Sequence, residues 1–262
     1  MNRPVALVTG GTSGIGLETA RALRQAGCRV FSLSRREAGG EDHIQADVTR
    51  EEEAAAAVEY VIRQAGRLDI LVNCAGFGIS GAVEFTELSE ARRQLEVNFF
   101  GMVNMNKAVL PFMRAQGGGR IVTISSVAAP VPIPFQTYYS VSKAAINAYT
   151  LALANEVRPY HISVCAVMPG DIATGFTDAR AKSYGGDDVY GGRIARSVAV
   201  MEKDERNGMS AAAAGGYVAR VALKKKSRPL LAVGLSYKAV CLLAKLLPAS
   251  FANWIIGRIY AR

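Results

Sequence analysis

Val5-Ala6-Leu7-Val8-Thr9-Gly10-Gly11-Thr12-Ser13-Gly14-Ile15-Gly16 is the stretch on which the reading turns, with Arg29-Val30-Phe31-Ser32-Leu33-Ser34 following it. Residues 4–8 are short, apolar and rich in branched side chains, which predicts a buried strand. A glycine cluster follows, then a helix over 17–25 stopped by Gly27, then a second strand over 29–34. Strand, glycine turn, helix and strand within about 30 residues make a βαβ unit, whose parallel strands want helices on both faces. Glycines between strand and helix let the backbone approach a pyrophosphate. The helix N-terminus offers that anion N–H groups and positive potential. Gly10, Thr12, Ser13, Gly14, Ile15 and Gly16 are therefore candidate dinucleotide-binding residues.

The end of the second strand should reach the adenosine ribose, where NAD enzymes usually carry an acid. This chain has Ser34-Arg35-Arg36 instead. A hydroxyl and two guanidiniums suit a 2′-phosphate, because arginine forks onto phosphate oxygens. NADP(H) is expected over NAD(H), with Arg35 as the better contact.

The alternation continues. A third strand is expected over 43–46, ending at Asp47-Val48, and a helix over 51–64 with acids in its first turn. A fourth strand over 69–72 closes on Asn73-Cys74-Ala75-Gly76. A long helix over 87–115, broken near Ser89, contains Asn98 and Gly101, whose cost in a helix interior points to packing or function. A strand over 119–124 ends at Ser125-Ser126, and Pro130, Pro132 and Pro134 make the next stretch a loop. A helix over 139–155 and a strand over 162–167, closed by Met168-Pro169-Gly170, follow. Residues 175–208 are glycine-rich and charged, and read as a mobile substrate loop with one or two helices. A helix over 210–223 and a seventh strand over 229–233 complete a catalytic domain of residues 1–233. The fold class is α/β, a doubly wound parallel seven-stranded sheet with helices on both faces. Ligands bind such sheets beyond the C-terminal strand ends. The glycine turn, Asp47, Asn73, Ser126 and Pro169-Gly170 all fall there.

Tyr139 and Lys143 are four apart on one helix, so their side chains lie together. An ammonium beside a phenol favours phenolate and lowers a pKa that starts near ~10, as acid–base work near neutrality needs. A serine hydroxyl at a nearby strand end could hold the oxygen that exchanges the proton. Tyr138 is turned to another face.

Composition bounds the rest. The 262 residues carry a net charge of +9, four cysteines and two histidines. Cys28, Cys74, Cys165 and Cys241 are widely spaced in apolar segments, which predicts free buried thiols, a reducing cytoplasmic setting and no metal site. Gly10 and Gly11 end the first apolar run too early for a secretory leader, and no run reaches the roughly 20 apolar residues of a spanning helix. Without an aromatic-rich basic stripe, nucleic acid is not an expected partner.

Taken together, Thr9-Gly10-x-x-x-Gly14-x-Gly16, Asp47, Asn73-Cys74-Ala75-Gly76, Asn98, Ser126, Tyr139-x-x-x-Lys143 and Pro169-Gly170 resemble the short-chain dehydrogenase/reductase family, with its Rossmann-type sheet, over nearly all of 5–233. The family spacing of thirteen residues to the tyrosine selects Ser126, with Ser125 as runner-up. Cys74 departs from the common Asn-Asn-Ala-Gly. The resemblance implies that Tyr139 exchanges the proton with the substrate oxygen and Ser126 orients that oxygen. It implies that Lys143 binds the nicotinamide ribose and lowers the Tyr139 pKa, and that Asn98 holds a relay water. Asp47 and Val48 would meet the adenine. Asn73, Ala75 and Gly76 would line the cofactor, and Ile172 and Thr174 would contact its carboxamide end. Homodimers or homotetramers are the family's usual state.

Residues 234–262 are an extension, read as two amphipathic helices over 235–247 and 251–260. They could pack on the core or a second subunit, form a lid over an apolar pocket, or dock peripherally on a membrane. Similar tails occur in relatives acting on steroids and retinoids. Val131, Ile133, Pro134, Phe135, Phe77 and Ile79 also favour an apolar pocket. The expected activity is hydride transfer between NADP(H) and a lipophilic alcohol or ketone. A smaller carbonyl such as a 3-oxoacyl thioester, or a non-catalytic NADP(H) sensor, are the alternatives.

Overall fold

The computed structural model describes residues 3–40 and 42–261. Seven strands form one sheet: β1 (Val5–Thr9), β2 (Arg29–Ser34), β3 (His43–Gln45), β4 (Ile70–Asn73), β5 (Gly119–Ile124), β6 (Ile162–Met168) and β7 (Leu230–Ala232). Their order is β7-β6-β5-β4-β1-β2-β3, and every pair is parallel. From β1 the chain winds outward to β2 and β3, then returns to β4 on the other side of β1. That reversal puts a crevice beyond the ends of β1 and β4, where such sheets take nucleotides. Thr9 sits level with both Leu33 and Asn73, so three strand ends meet there.

Buried parallel strands are apolar on both faces, and their alternation sorts side chains between two helix layers. Leu7, Phe31, Leu71 and Ile121 pack with Val58 and Val61 of α2 (Glu51–Ala65) and with Met105 and Val109 of α4 (Gly101–Ala115). Ala6, Val8, Val72 and Cys165 pack with Ala20 and Leu23 of α1 (Gly14–Gln25) and with Val218 and Val221 of α8 (Ala211–Ala222). Helices α1 and α8 approach so closely that a Cβ on Gly215 would lie 2.5 Å from Glu18 Cβ.

The long helix expected over 87–115 does break, but not near Ser89. Helix α3 (Leu88–Leu95) runs through a π turn, Glu96–Phe100, into α4, and Asn98 sits in that turn. π turns disrupt the regular ladder and cluster at functional sites. Helix α5 (Thr137–Glu156) carries Tyr139 and Lys143. Residues 175–208 contain α6 (Phe176–Ala179) and α7 (Arg193–Arg206), and the tail forms α9 (Leu235–Leu246) and α10 (Ala249–Tyr260). Two short parallel pairings, Ile79–Ser80 with Ala181–Lys182 and Ile172–Ala173 with Met209–Ser210, were not legible in the sequence. Two residues are too few to show a period.

The segment around α6 and α7 is tied down rather than loose. Arg180, whose side chain is fully buried, pairs with Glu205, and Thr177 Oγ1 donates to the same carboxylate at 2.6 Å. Arg180→Leu would leave a desolvated Glu205 without its cation. It should cost roughly 3–5 kcal/mol of stability, read as a lowered thermal midpoint.

Candidate active site

One cavity of about 1270 Å³ runs beyond the C-terminal ends of the strands. All the site residues read from the sequence line it except Asn73 and Asn98. Its first half is the glycine turn. Gly10 has φ +64° and Gly14 φ +51°, and a Cβ on Gly16 would lie 2.3 Å from Gly10 O. Only glycine fits this cradle without displacing backbone. Ser13 is the N-cap of α1 but makes no side-chain capping bond, whereas Ser210 Oγ caps α8 from Ala213 N at 3.3 Å. The first-turn N–H groups of α1 therefore face the cavity uncovered by their cap.

Farther along lie Ser34, Arg35 and Arg36 at the end of β2. Both guanidiniums are exposed while their backbone is pinned. Gln45 Nε2 donates to Arg35 O at 3.1 Å, and Ser34 Oγ to Arg36 O at 2.7 Å. Ser34 thus spends its hydroxyl on the loop rather than offering it to a phosphate. Asp47 forms an Asx turn, its Oδ1 accepting from Thr49 N at 3.0 Å.

In the middle, Tyr139, Ser126 and Lys143 converge. The Tyr139 hydroxyl is hydrogen-bonded with Ser126, at the end of β5. Lys143 Nζ donates to Ile124 O at 2.8 Å and stands 5.5 Å from the centre of the Tyr139 ring. Ser125 points the other way, its Oγ donating to Lys143 O at 3.1 Å, which leaves Ser126 as the serine beside the phenol. The far half of the cavity is apolar, walled by Val131, Ile133, Phe176 and Met201 and by the tail helices through Val240, Leu243, Leu247, Ile255, Ile256 and Ile259. Pro134, Phe135 and Ile79 do not reach it.

A family model described as short chain dehydrogenase matches residues 4–185. The chain belongs to the short-chain dehydrogenase family. It is 42% identical over 230 residues to the 3-ketodihydrosphingosine reductase of Bacteroides thetaiotaomicron, covering 86% of each chain. It is 31% identical over 273 residues to dehydrogenase/reductase SDR family member 7B of Xenopus tropicalis, covering 97% of this chain and 85% of that one. Among solved structures, a short-chain dehydrogenase from Streptomyces avermitilis matches at 30% identity with a TM-score of 0.83 over 97% of both chains.

Family membership makes this short-chain dehydrogenase an oxidoreductase, and the cradle fits a nicotinamide dinucleotide. The pyrophosphate would lie against Gly10–Gly16, and the nicotinamide end would lie near Lys143, Ile172 and Thr174. Such a nucleotide supplies a hydride.

Two readings need correction, that of Asn73 and that of the Tyr139 electrostatics. Asn73 is buried off the cavity wall, its Nδ2 donating to Asn106 Oδ1 at 2.9 Å. It clamps β4 to α4, because strand alternation puts it on the face of Leu71. Asn98 also lies off the cavity wall, and its side chain is engaged by protein groups, so a relay water expected of it would have to meet its main chain in the π turn. Its Oδ1 accepts from Phe77 N at 3.0 Å, and its Nδ2 donates to Phe77 O at 3.0 Å and Ser142 Oγ at 3.2 Å. It holds the loop after Gly76 against α5. The second correction is electrostatic. Desolvation pushes the Tyr139 phenol up to about 12, against the opposing hydrogen bond from Ser126, and burial pushes Lys143 down to about 8. In this low-dielectric pocket, loss of water outweighs the opposing effects of Ser126 and the Arg180 charge, and Lys143 does not enter the balance. Tyr139 is a neutral proton donor at pH 7.

The thiols are mostly as expected: Cys28, Cys165 and Cys241 are buried and free. Cys74 is free but only partly buried, because it lines the cavity beside Lys143. Burial pushes its pKa up to about 12, so it is a neutral thiol. Among the described residues, no group of His, Cys, Asp and Glu is placed to hold a metal ion.

Sequence reasoning missed Asp171, Phe176, Glu205 and Tyr237 on the cavity wall. The Phe176 ring lies 5.8 Å from that of Tyr139. Tyr237 Oη donates to Asp171 Oδ2 at 2.5 Å and accepts from Asp171 N at 3.1 Å. A Cβ on Gly170 would lie 2.2 Å from the Tyr237 ring, so the tail is seated directly on the Pro169-Gly170 loop. The position of Asp171 next to Pro169-Gly170 was a usable signal. Nothing local marks Tyr237.

Proposed function

We propose that this chain is an NADPH-dependent reductase of a long-chain lipophilic ketone. The reading rests on the two-ended cavity, which has a glycine cradle and two arginines at one end and a wall of aliphatic side chains at the other. Tyr139 stands between them. In this reading Tyr139 gives its proton to the carbonyl oxygen as the carbonyl carbon takes the hydride. Ser126 orients that oxygen, and Lys143 holds the nicotinamide ribose. Asn98 positions the Phe77 loop and α5. At neutral pH the Tyr139 phenol is protonated, which is the form that donation to a carbonyl oxygen needs, although burial, by raising its pKa to about 12, makes it a weaker acid than a free phenol.

The 42% relative supplies a candidate substrate, 3-ketodihydrosphingosine. This is a ketone on a long alkyl chain with a primary amine beside it. The apolar wall suits the chain, and Asp171, an acid among the lining residues, suits the amine. The same proposal includes a homodimer or homotetramer paired through the helices carrying Asn98 and Tyr139, where Phe100, Val141 and Leu151 are exposed.

The test compares kcat/KM, followed as NADPH consumption, for 3-ketodihydrosphingosine and a short 3-oxoacyl thioester. Each buried methylene contributes ~0.8 kcal/mol, so two well-held methylenes already give about 10-fold and a long chain should exceed that. Equal rates, or a preference for the thioester, would remove the lipophilic reading.

A further inference from the structure

Helices α9 and α10 are apolar on two sides. Val240, Leu243, Ala244 and Leu247 of the first, and Ala252, Ile255, Ile256 and Ile259 of the second, line the cavity. Their spacing of three, four and seven marks one helical face each. Leu235, Leu242, Leu246, Phe251 and Trp254 do not line it, yet they are 83%, 57%, 71%, 49% and 56% exposed. Leu235, Leu242 and Leu246 follow one another at helical spacing on the outer face of α9. On α10 the Phe251 and Trp254 rings stack at 6.0 Å, with Arg258 over the indole at 5.2 Å. A helix apolar all round wants cover on both sides, and contiguous exposed apolar surface of this kind marks an interaction site.

Charge identifies the cover. The last acidic residue of the chain is Glu205, and residues 206–262 hold ten lysines and arginines. Residues 1–205 hold 21 basic and 22 acidic residues, so the net charge of +9 comes from the C-terminal part alone. Lys238, Lys245 and Arg258 are exposed on the tail helices themselves. Lys238 and Lys245 each stand three residues from a leucine of the outer stripe, placed to keep their ammonium groups at a polar boundary while their stems cover apolar surface.

We infer that the outer face of α9 and α10 docks on an anionic phospholipid bilayer, with Phe251 and Trp254 at the depth of the headgroups and the lysines against lipid phosphates. No helix among the described residues is long and apolar enough to cross a membrane, so the contact is one of lying on the surface. Because the same two helices wall the cavity, docking places its apolar end against the lipid. A lipophilic substrate then reaches Tyr139 without crossing water. That delivery step rests on the lipophilic-ketone reading; the docking does not.

Trp254 is the chain's sole tryptophan, which makes the full-length protein its own probe. With phosphatidylglycerol vesicles the indole emission should shift to the blue and the protein should sediment with the lipid. High salt and pure phosphatidylcholine should weaken both. Lys238→Gln combined with Lys245→Gln should reduce vesicle affinity roughly 30-fold. Leu242→Ser with Leu246→Ser should slow turnover of vesicle-borne ketone while leaving turnover of a detergent-dispersed ketone unchanged. No blue shift with phosphatidylglycerol overturns the docking. So does a blue shift that grows with protein concentration in the absence of lipid, which would show a second copy covering the face. Equal rates on vesicle-borne substrate overturn the delivery step alone. Docking without reduction of any lipophilic ketone would sink the functional reading and leave the membrane face standing.

Discussion

Tyr139→Phe should lower kcat for ketone reduction by about 10²–10⁴-fold, the range that one positioned general acid contributes, with little change in NADPH affinity. The phenyl ring keeps the packing against Phe176 and the Lys143 ammonium and removes only the hydroxyl bonded to Ser126. Stopped-flow single turnovers would separate a slowed chemical step from slowed release. Wild-type activity should also depend on pH with a definite sign. Lys143, pushed down to about 8, is cationic below that value and neutral above it. In the proposed mechanism that charge would hold a ribose hydroxyl as an ion–dipole contact and favour the phenolate left after proton donation. The reductive kcat/KM should therefore be flat toward acid and fall as pH rises through about 8. Lys143→Met should abolish that limb along with most of the activity. A variant at Tyr139 that keeps near-wild-type turnover would show that another group donates the proton. A wild type inactive on every carbonyl, yet tight for NADPH, would bring the sensor alternative forward.

What the sequence made legible was whatever depends on short-range spacing. The glycine turn declares itself because strand, turn and helix are contiguous, and its cradle is as tight as that chemistry requires, with Gly16 backed against Gly10 O. Tyr139 and Lys143 were readable because a helix fixes residues four apart on one side. The misses share a different cause. Asn73 was assigned to the site by its place at a strand end, although the alternation through Leu71 already turned its side chain toward α4. Asn98 was placed in the right helix, but its partners on the Phe77 loop lie 21 residues away, so its role as a clamp was hidden. The direction of the Tyr139 shift could not be read either. A neighbouring charge is visible in a sequence, whereas the loss of water around both groups depends on how deep the cavity is. The Tyr237–Asp171 bond, spanning 66 residues, is a tertiary fact with no local signature.

Arg35→Asp is the second change with a large expected effect. Hydrogen bonds to charged groups are worth about 1.5–3 kcal/mol, so losing a guanidinium from a 2′-phosphate should raise the KM for NADPH by roughly 10–150-fold. The introduced carboxylate should at the same time lower the KM for NADH, because an acid at the end of β2 can accept from both ribose hydroxyls. The position isolates this effect from folding. The Arg35 side chain is exposed, while its carbonyl is held by Gln45 and the loop by Ser34 and His43, none of which needs the guanidinium. Thermal midpoints of the two proteins should therefore agree, as surface changes away from such bonds stay within about 0.5 kcal/mol. Arg36→Ala provides the control, because Arg36 borders the same cavity but is the weaker candidate. If Arg36→Ala costs more NADPH affinity than Arg35→Ala, the phosphate sits one residue farther along the loop. If neither arginine matters, the preference for NADPH has no basis in this loop, and NADH should then support turnover as well as NADPH does.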